Sequence, residues 1–421
     1  MSTFAILRSR PVVAWALYDW ANSAFATTVM AGFFPIFFRQ YWSAGAEATL
    51  TTFRLGLVNG TSSFILAVLA PLLGAIADRG GARIRFLAVF TAMGVAMTVA
   101  LYFVEQGAWQ WAALLYAGAS LGFWGGMIFY DSLLVDVSPR AQYDLVSGFG
   151  YSLGYLGGGV LFAVNVWMTL DPARFGLASA AEAVRLSFQM VGAWWALFAI
   201  PLFLFVGERP GSPHPGAWRA VKEGVAQLVG TFHEIRKYRA LALFLLAYWL
   251  YIDGVNTIMK MAVDYGMALG FPTNSLIIAL LITQFVGFPA ALFFGWLGQR
   301  TSTLGGIFIG IGVYTLVTIW AVFMSDVREF YGMAIVIGLV QGAIQSLSRS
   351  YFGSLIPIDK PGEFFGFYNM MGKFAAVLGP FLMGITALLT GSSRTSLLSL
   401  VVLFIGGGWL LVLAARSTRN P

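Results

Sequence analysis

The sequence predicts an all-α integral membrane protein of twelve transmembrane helices, arranged as two pseudo-symmetric six-helix bundles. Three observations lead there. The 421 residues are 59% hydrophobic and only 10% charged, where a water-soluble domain carries about 25% charged residues. Too little polar side chain remains to coat a soluble surface, so the bilayer is the natural solvent, and the mean hydropathy of +0.79 agrees. Twelve separate runs are long and apolar enough to cross it, and the first six echo the last six in order.

A span needs about 20 predominantly apolar residues. The runs fall at 12–38, 54–77, 84–104, 109–135, 145–168, 185–206, 241–263, 275–298, 303–324, 330–350, 364–390 and 395–415. The first holds "LYDWANSAFATTV" (Leu17 to Val29). It is too long for the apolar core of a secretory leader and lacks a small-residue cleavage site, so it reads as a retained helix. The second ends in "GAIADRGGARIR", and the third is a plain apolar run. The fourth carries Gly118, Gly122 and Gly126, and the fifth Gly150, Gly154 and Gly158. Small residues four apart let helices approach closely in lipid, which offers no hydrophobic drive for association. The sixth is "AWWALFAIPLFLFV".

Residues 207–240 are polar, basic and rich in Pro and Gly. They divide the chain into a bundle at 1–206, a cytoplasmic basic linker at 207–240 and a second bundle at 241–421. From Trp218 to Ile235 the linker spaces Val221, Val225, Leu228 and Phe232 as an interfacial amphipathic helix would; a solvated linker is the plain alternative. The seventh span then repeats the first: "YDWANS" becomes "IDGVNT", both Asp-x-x-Asn-[Ser/Thr]. The eighth ends in Gly295, Gln299 and Arg300, matching Gly74, Asp78 and Arg79 of the second. The ninth is plain. The tenth carries Gly338 and Gly342 as the fourth carries Gly122 and Gly126. The eleventh contains "EFFGFYNMMGKFAAVLGP", and the twelfth runs to a basic C-terminus.

Charge sets the orientation. With both termini cytoplasmic, 17 Lys and Arg fall inside and six outside, the bias that places basic loops in the cytoplasm. The net charge of +7 therefore reads as topology. No basic helix or aromatic-basic pattern points to nucleic acid. With no cysteine, disulfides, iron–sulfur clusters and thiol nucleophiles are excluded. His214 and His233 are the only histidines, and no metal-binding spacing occurs. No cofactor, catalytic array or metal site is expected. An intramembrane enzyme has nothing to support it.

The intramembrane charges carry the chemistry. An Asp at a helix centre costs about 2.5–3.5 kcal/mol on insertion scales, and such residues usually face a bundle interior or a wet path. Asp19 and Asn22 share one helix face, as do Asp253, Asn256 and Lys260. Asp131 in the fourth span and Lys373 in the eleventh are secondary cavity candidates. Two readings of Asp19 and Asp253 stand: cavity-facing proton or substrate groups, or structural clasps that bond a neighbouring helix. Their recurrence at corresponding spans favours the first. Lys260 has a second reading too, snorkelling at the outer end of its helix beside Asp264.

"GAIADRGGARIR" resembles the cytoplasmic Gly-x-x-x-Asp-Arg-x-Gly-x-Arg signature of the major facilitator superfamily, with Gly74, Asp78, Arg79, Gly81 and Arg83 in place. A tight glycine turn with charge-assisted bonds suits a conformational latch, and Arg349 and Glu363 are expected as its partners. "LLAYWLYIDGVNTI", "VQGAIQSLSRSYFGSLIP" and "EFFGFYNMMGKFAAVLGP" narrow the resemblance, which covers nearly the whole chain. They are similar to a branch of bacterial permeases that also resembles the fungal autophagy-related vacuolar amino-acid effluxers. Where that branch has Asn and a Leu-Pro pair, the fourth span here has "FYDSLLVD", with Asp131 and Val135.

The resemblance implies two parallel halves, with the first and seventh spans lining a central cavity from opposite sides. It implies a secondary active transporter in the bacterial inner membrane, working by alternating access as a functional monomer. A cavity holding carboxylates and lysines suits a small polar or zwitterionic metabolite, with an amino acid favoured. Asp19 and Asp253 are the expected proton carriers, and Asn22 and Asn256 neutral ligands. Export of drugs or amphiphilic, lipid-like compounds is the alternative, and a non-transporting membrane sensor is a third reading.

Overall fold

The computed structural model describes residues 4–208, 239–375, 378–390 and 393–419. Most of the expected linker, including Trp218 to Ile235, His214 and His233, lies outside the described residues, as do the side chains of Arg79, Lys260 and Asp264.

Among the described residues, twelve helices are long and apolar enough to cross a membrane. They are α1 (Arg10–Trp42), α2 (Phe53–Asp78), α3 (Arg83–Phe103), α4 (Trp109–Val137), α5 (Arg140–Leu170) and α6 (Ala180–Phe205), then α7 (Arg239–Met259), α8 (Asn274–Arg300), α9 (Thr303–Phe323), α10 (Val327–Leu355), α11 (Pro361–Thr390) and α12 (Arg394–Ser417). An even number of crossings puts both ends of the chain at one face of the bundle, here the terminal face; the other is the distal face. Below, α1–α6 are the N-half and α7–α12 the C-half.

Local chemistry sets the ends. Gly81 takes φ +52° at the end of α2, a left-handed conformation that glycine adopts without steric cost, and it turns the chain into α3. Ser179 caps α6 through Glu182 N–H, and Asp326 with Glu329 forms a reciprocal capping box on α10.

Two spans depart from plain helices. In α1, Phe25–Phe33 and Phe38–Trp42 are wound as π-helix, a form that is rare and frequent at functional sites. In α11, one helix ends at Phe374 and a second begins at Leu378. The cause is legible in "LGPF": Pro380 has no N–H for the preceding turn, and its ring disfavours helical geometry at the residue before it.

The interior is apolar as in a soluble protein, and the exterior is apolar too. Between helices sit stacked aromatics such as Phe34 on Tyr116, 3.8 Å apart, and Trp15 on Tyr130, 4.6 Å apart. Outside, Leu204, Leu316, Phe323 and Leu388 are exposed, the last to 86%. Surface of that kind is stable only against lipid.

Candidate functional site

The two halves meet along two seams at the terminal face. In the first, α2 crosses the start of α11. Asp78 accepts the N–H groups of Gly362 (2.9 Å) and Glu363 (2.8 Å), free donors at a helix N-terminus. The backbones are so close that a Cβ at Gly74 would run into the Gly362 carbonyl. Beneath, buried Arg83 pairs with Asp136 at 2.7 Å and Asp78 at 3.6 Å, and bonds the Ser132 carbonyl. Glu208, just past α6, accepts the N–H groups of Arg83 (2.7 Å) and Ile84 (3.4 Å). Burial pushes the Glu208 carboxyl above its ordinary value, while Arg83 pulls the other way.

The second seam, α5 against α8, is its counterpart with the acid on the other strand of the crossing. Gln299, standing where the repeat would have an acid, donates to the Ala141 carbonyl instead. The acid is Asp144 of α5, which accepts from Thr303 at 2.6 Å and from Ser350. A shallow cleft of about 380 Å³ opens beside it, lined by Arg140, Asp144, Gln299, Thr303 and Tyr351 among others.

Between the seams lies a fully buried arginine. Arg349 of α10 donates to Asp131 of α4 at 3.0 Å and lies 3.9 Å from Asp19 of α1. It also bonds the Ser147 hydroxyl (2.9 Å) and carbonyl (3.0 Å) of α5. Its guanidinium lies against the rings of Trp15, Tyr130 and Tyr151, 4.3–5.4 Å from their centroids. Tyr130 donates to Asp19 at 3.2 Å, and Asn369 of α11 donates to the other oxygen of Asp131 at 3.1 Å. Asp19 and Asp131 are 5% and 3% exposed. Arg349 therefore joins the centre of the bundle and not the Gly74–Arg83 turn, where it was expected; Glu363 does sit at that turn, through its N–H. The reason is reach. Arg349 lies about 9 Å inside the end of α10 at 1.5 Å per residue, level with Asp131 and away from the loop.

The twin motifs occupy equivalent places and do different things. Asp19 and Ser23 pack on Gly154 of α5, and Asp253 and Thr257 pack on Gly379 of α11. In the N-half, α5 is continuous there, so its backbone N–H groups are used and Asp19 turns to Tyr130 and Arg349. In the C-half, α11 is broken there. Asp253, fully buried, accepts the freed N–H groups of Leu378 and Gly379, both at 2.9 Å, and the Thr257 hydroxyl at 3.2 Å. The symmetric pair of cavity-facing carboxylates expected from the repeat is thus an ion-pair member and a helix cap. Asn22 is buried and donates to the Met127 sulfur, while Asn256 is half-buried. Lys373, one turn beyond Asn369, is half-buried with its ammonium over the Trp124 ring of the N-half.

Sequence reading missed Asn369, Asp144, Ser147 and Glu208. Asn369 was findable, since it stands four residues before Lys373 and so shares its face. Asp144 could have been sought across the crossing once Gln299 replaced the acid. Nothing local marks Ser147 or Glu208.

A family model described as "Vacuole effluxer Atg22 like" matches residues 43–142 and 136–420. The MFS-type transporter YxiO of Bacillus subtilis (strain 168) is 41% identical over 412 residues, covering 97% of this chain and 95% of its own. Autophagy-related protein 22 of Yarrowia lipolytica is 29% identical over 304 residues, 65% of this chain and 50% of that protein. Among solved structures, the human organic anion transporter MFSD10 (TETRAN) has a TM-score of 0.73 at 13% identity, covering 96% of this chain and 99% of its own. The MFS transporter FucP in its outward conformation has a TM-score of 0.69 at 13% identity, with both chains fully covered.

Proposed function

Because the chain belongs to the vacuole effluxer Atg22-like family of the major facilitator superfamily, and is an MFS-type membrane transporter and not an enzyme, we propose that it moves a small polar or zwitterionic metabolite, an amino acid by preference, by proton-coupled alternating access. The observation that carries this reading is the buried cluster of Asp19, Asp131 and Arg349, one cation between two carboxylates, spanning the boundary between the halves. Membrane-buried acids that pair across a moving boundary are the groups that carry protons in transporters. Lys373, one turn beyond Asn369 and across the boundary from Trp124, supplies an ammonium for a substrate carboxylate.

In this reading residues 1–206 and 241–421 are the two rocking bundles, joined by the 207–240 linker. The terminal face is cytoplasmic by its excess of Lys and Arg, the membrane is the bacterial inner membrane, and the monomer is the working unit. The position of both seams at the terminal face supports reading this state as closed toward the cytoplasm. Of the two repeat carboxylates, Asp19 carries the proton and Asp253 does not. The description "effluxer" supports transport toward the cytoplasm, since a vacuole lumen is topologically equivalent to the outside of a cell.

The test is flux in liposomes containing the purified protein. The twenty L-amino acids are screened with and without a pH gradient, in wild type and Asp19→Asn. Accumulation of a substrate should follow the gradient in wild type and lose it in Asp19→Asn. Gradient-independent flux that survives Asp19→Asn refutes proton coupling. Absence of flux for the whole panel refutes the amino-acid assignment.

A further inference from the structure

We propose that Arg349 is the positioning residue that couples protons to the gate: it locks the terminal face shut through Asp131 and Asp19, and a proton taken up by that carboxylate pair releases it. This rests on the transport reading above and gives it a moving part.

Both carboxylates belong to the N-half and the guanidinium to the C-half. Opening the terminal face must draw Arg349 away from both at once. Every other bond of the guanidinium also crosses the boundary, since the Ser147 hydroxyl and carbonyl are on α5. Ser147 in turn donates to the Ser346 carbonyl of α10 at 2.8 Å. Arg349 is thus held entirely by the opposite half and makes a single detachable plug.

The charge count gives the plug its proton dependence. Tyr18 of α1, Tyr130 of α4, Tyr151 and Tyr155 of α5 and Tyr248 of α7 face the cluster. Phenols ordinarily ionise only near about pH 10, so these stay neutral. Asn369 of α11 faces Asp131 as an uncharged donor, with Lys373 one turn further on over Trp124. With Arg349 in place, two carboxylates share one cation. With Arg349 withdrawn, two buried carboxylates that had shared one guanidinium nitrogen, at 3.9 and 3.0 Å, are left without it, and neighbouring like charges out of water favour taking up a proton. The open state therefore binds more protons than the closed one, and by reciprocity acid favours the open state. Protons and opening are coupled without any contact between substrate and Arg349.

The chain has no cysteine, so labels can be placed cleanly. Ala141→Cys and Asp359→Cys put spin labels on exposed positions either side of the terminal seam, near where Arg140 bonds the Ile356 carbonyl at 3.0 Å. Their separation is read by double electron–electron resonance on full-length protein in liposomes, at about pH 8 and pH 5.

Wild type should show the short distance at alkaline pH and a growing long-distance population in acid. The open-to-closed ratio should change by up to about tenfold per pH unit for one linked proton. Asp19→Asn, which mimics the protonated acid, should raise the long-distance population at alkaline pH and flatten its dependence on pH. Arg349→Gln should show the long distance at both, and Arg349→Lys should restore part of the short-distance population. An equal pH response in wild type and Asp19→Asn overturns the proposal, as does a closed population in Arg349→Gln that matches wild type at pH 8. If Arg349→Gln does not fold, Arg349→Lys and Asp19→Asn decide the matter by the same criteria. Distances that respond to pH while flux ignores the gradient would sustain the lock and remove proton-coupled transport. Coupled flux with pH-insensitive distances would do the reverse.

Discussion

Replacing Asp253 by alanine separates the two roles that one motif holds. Asp253 is fully buried and accepts two backbone N–H groups at 2.9 Å from the start of the second half of α11. Without the carboxylate these two donors lose the acceptors it supplies. A hydrogen bond to a charged group is worth about 1.5–3 kcal/mol, and loss of an N-cap side chain costs about 0.5–2 kcal/mol. The two bonds share one group and are not additive, so about 2–4 kcal/mol is expected for Asp253→Ala. Asp253→Asn keeps one acceptor oxygen but turns an NH₂ toward the second N–H, so it should lose about half of that. The assay is thermal unfolding of the detergent-solubilised protein, paired with flux per folded molecule in liposomes. Asp253→Ala should melt earliest and Asp253→Asn between it and wild type, with the gradient dependence of flux unchanged in Asp253→Asn. If Asp253→Ala melts with wild type, the cap reading fails. If Asp253→Asn folds well but loses its response to the gradient, Asp253 carries protons after all.

Two further outcomes follow from the terminal face. Gly74→Val would place branched side chain against the Gly362 carbonyl, so the Ala141/Asp359 label pair should move to the long distance at every pH; an undisturbed short distance would mean that the first seam is not needed for closure. Glu208 is an acid whose value is raised by burial, against an ordinary value of 4.5. The folded state then holds the proton more tightly than the unfolded chain. Its contribution is present below about pH 4.5 and is lost as pH rises through the raised value. Glu208→Gln should flatten that part of the stability-versus-pH curve, and an identical curve for mutant and wild type would contradict the assignment.

Much of the fold could be read from one dimension because its constraints are one-dimensional. A helix in lipid satisfies its own backbone, so each span needs only a long apolar run, and the twelve runs are marked by composition and loop charge. The break in α11 was also written locally, in Gly379-Pro380, although a continuous span 364–390 hid it. The latch turn was legible because Gly74, Asp78, Gly81 and Arg83 lie in one short stretch, while its second copy was not, because the acid had crossed from α8 to Asp144 of α5.

The sequence by itself determined that this is a twelve-span protein with internal repetition and a few costly intramembrane charges. It could not assign those charges their work. Asp19 and Asp253 sit in nearly the same words, "DWANS" and "DGVNT", and pack on equivalent glycines. Only the tertiary structure makes one the neighbour of an arginine and the other the cap of a broken helix. A carboxylate's role is set by the donors around it, and here those come from helices brought together by folding: Arg349 reaches Asp131 across 218 residues, and Leu378 reaches Asp253 across 125.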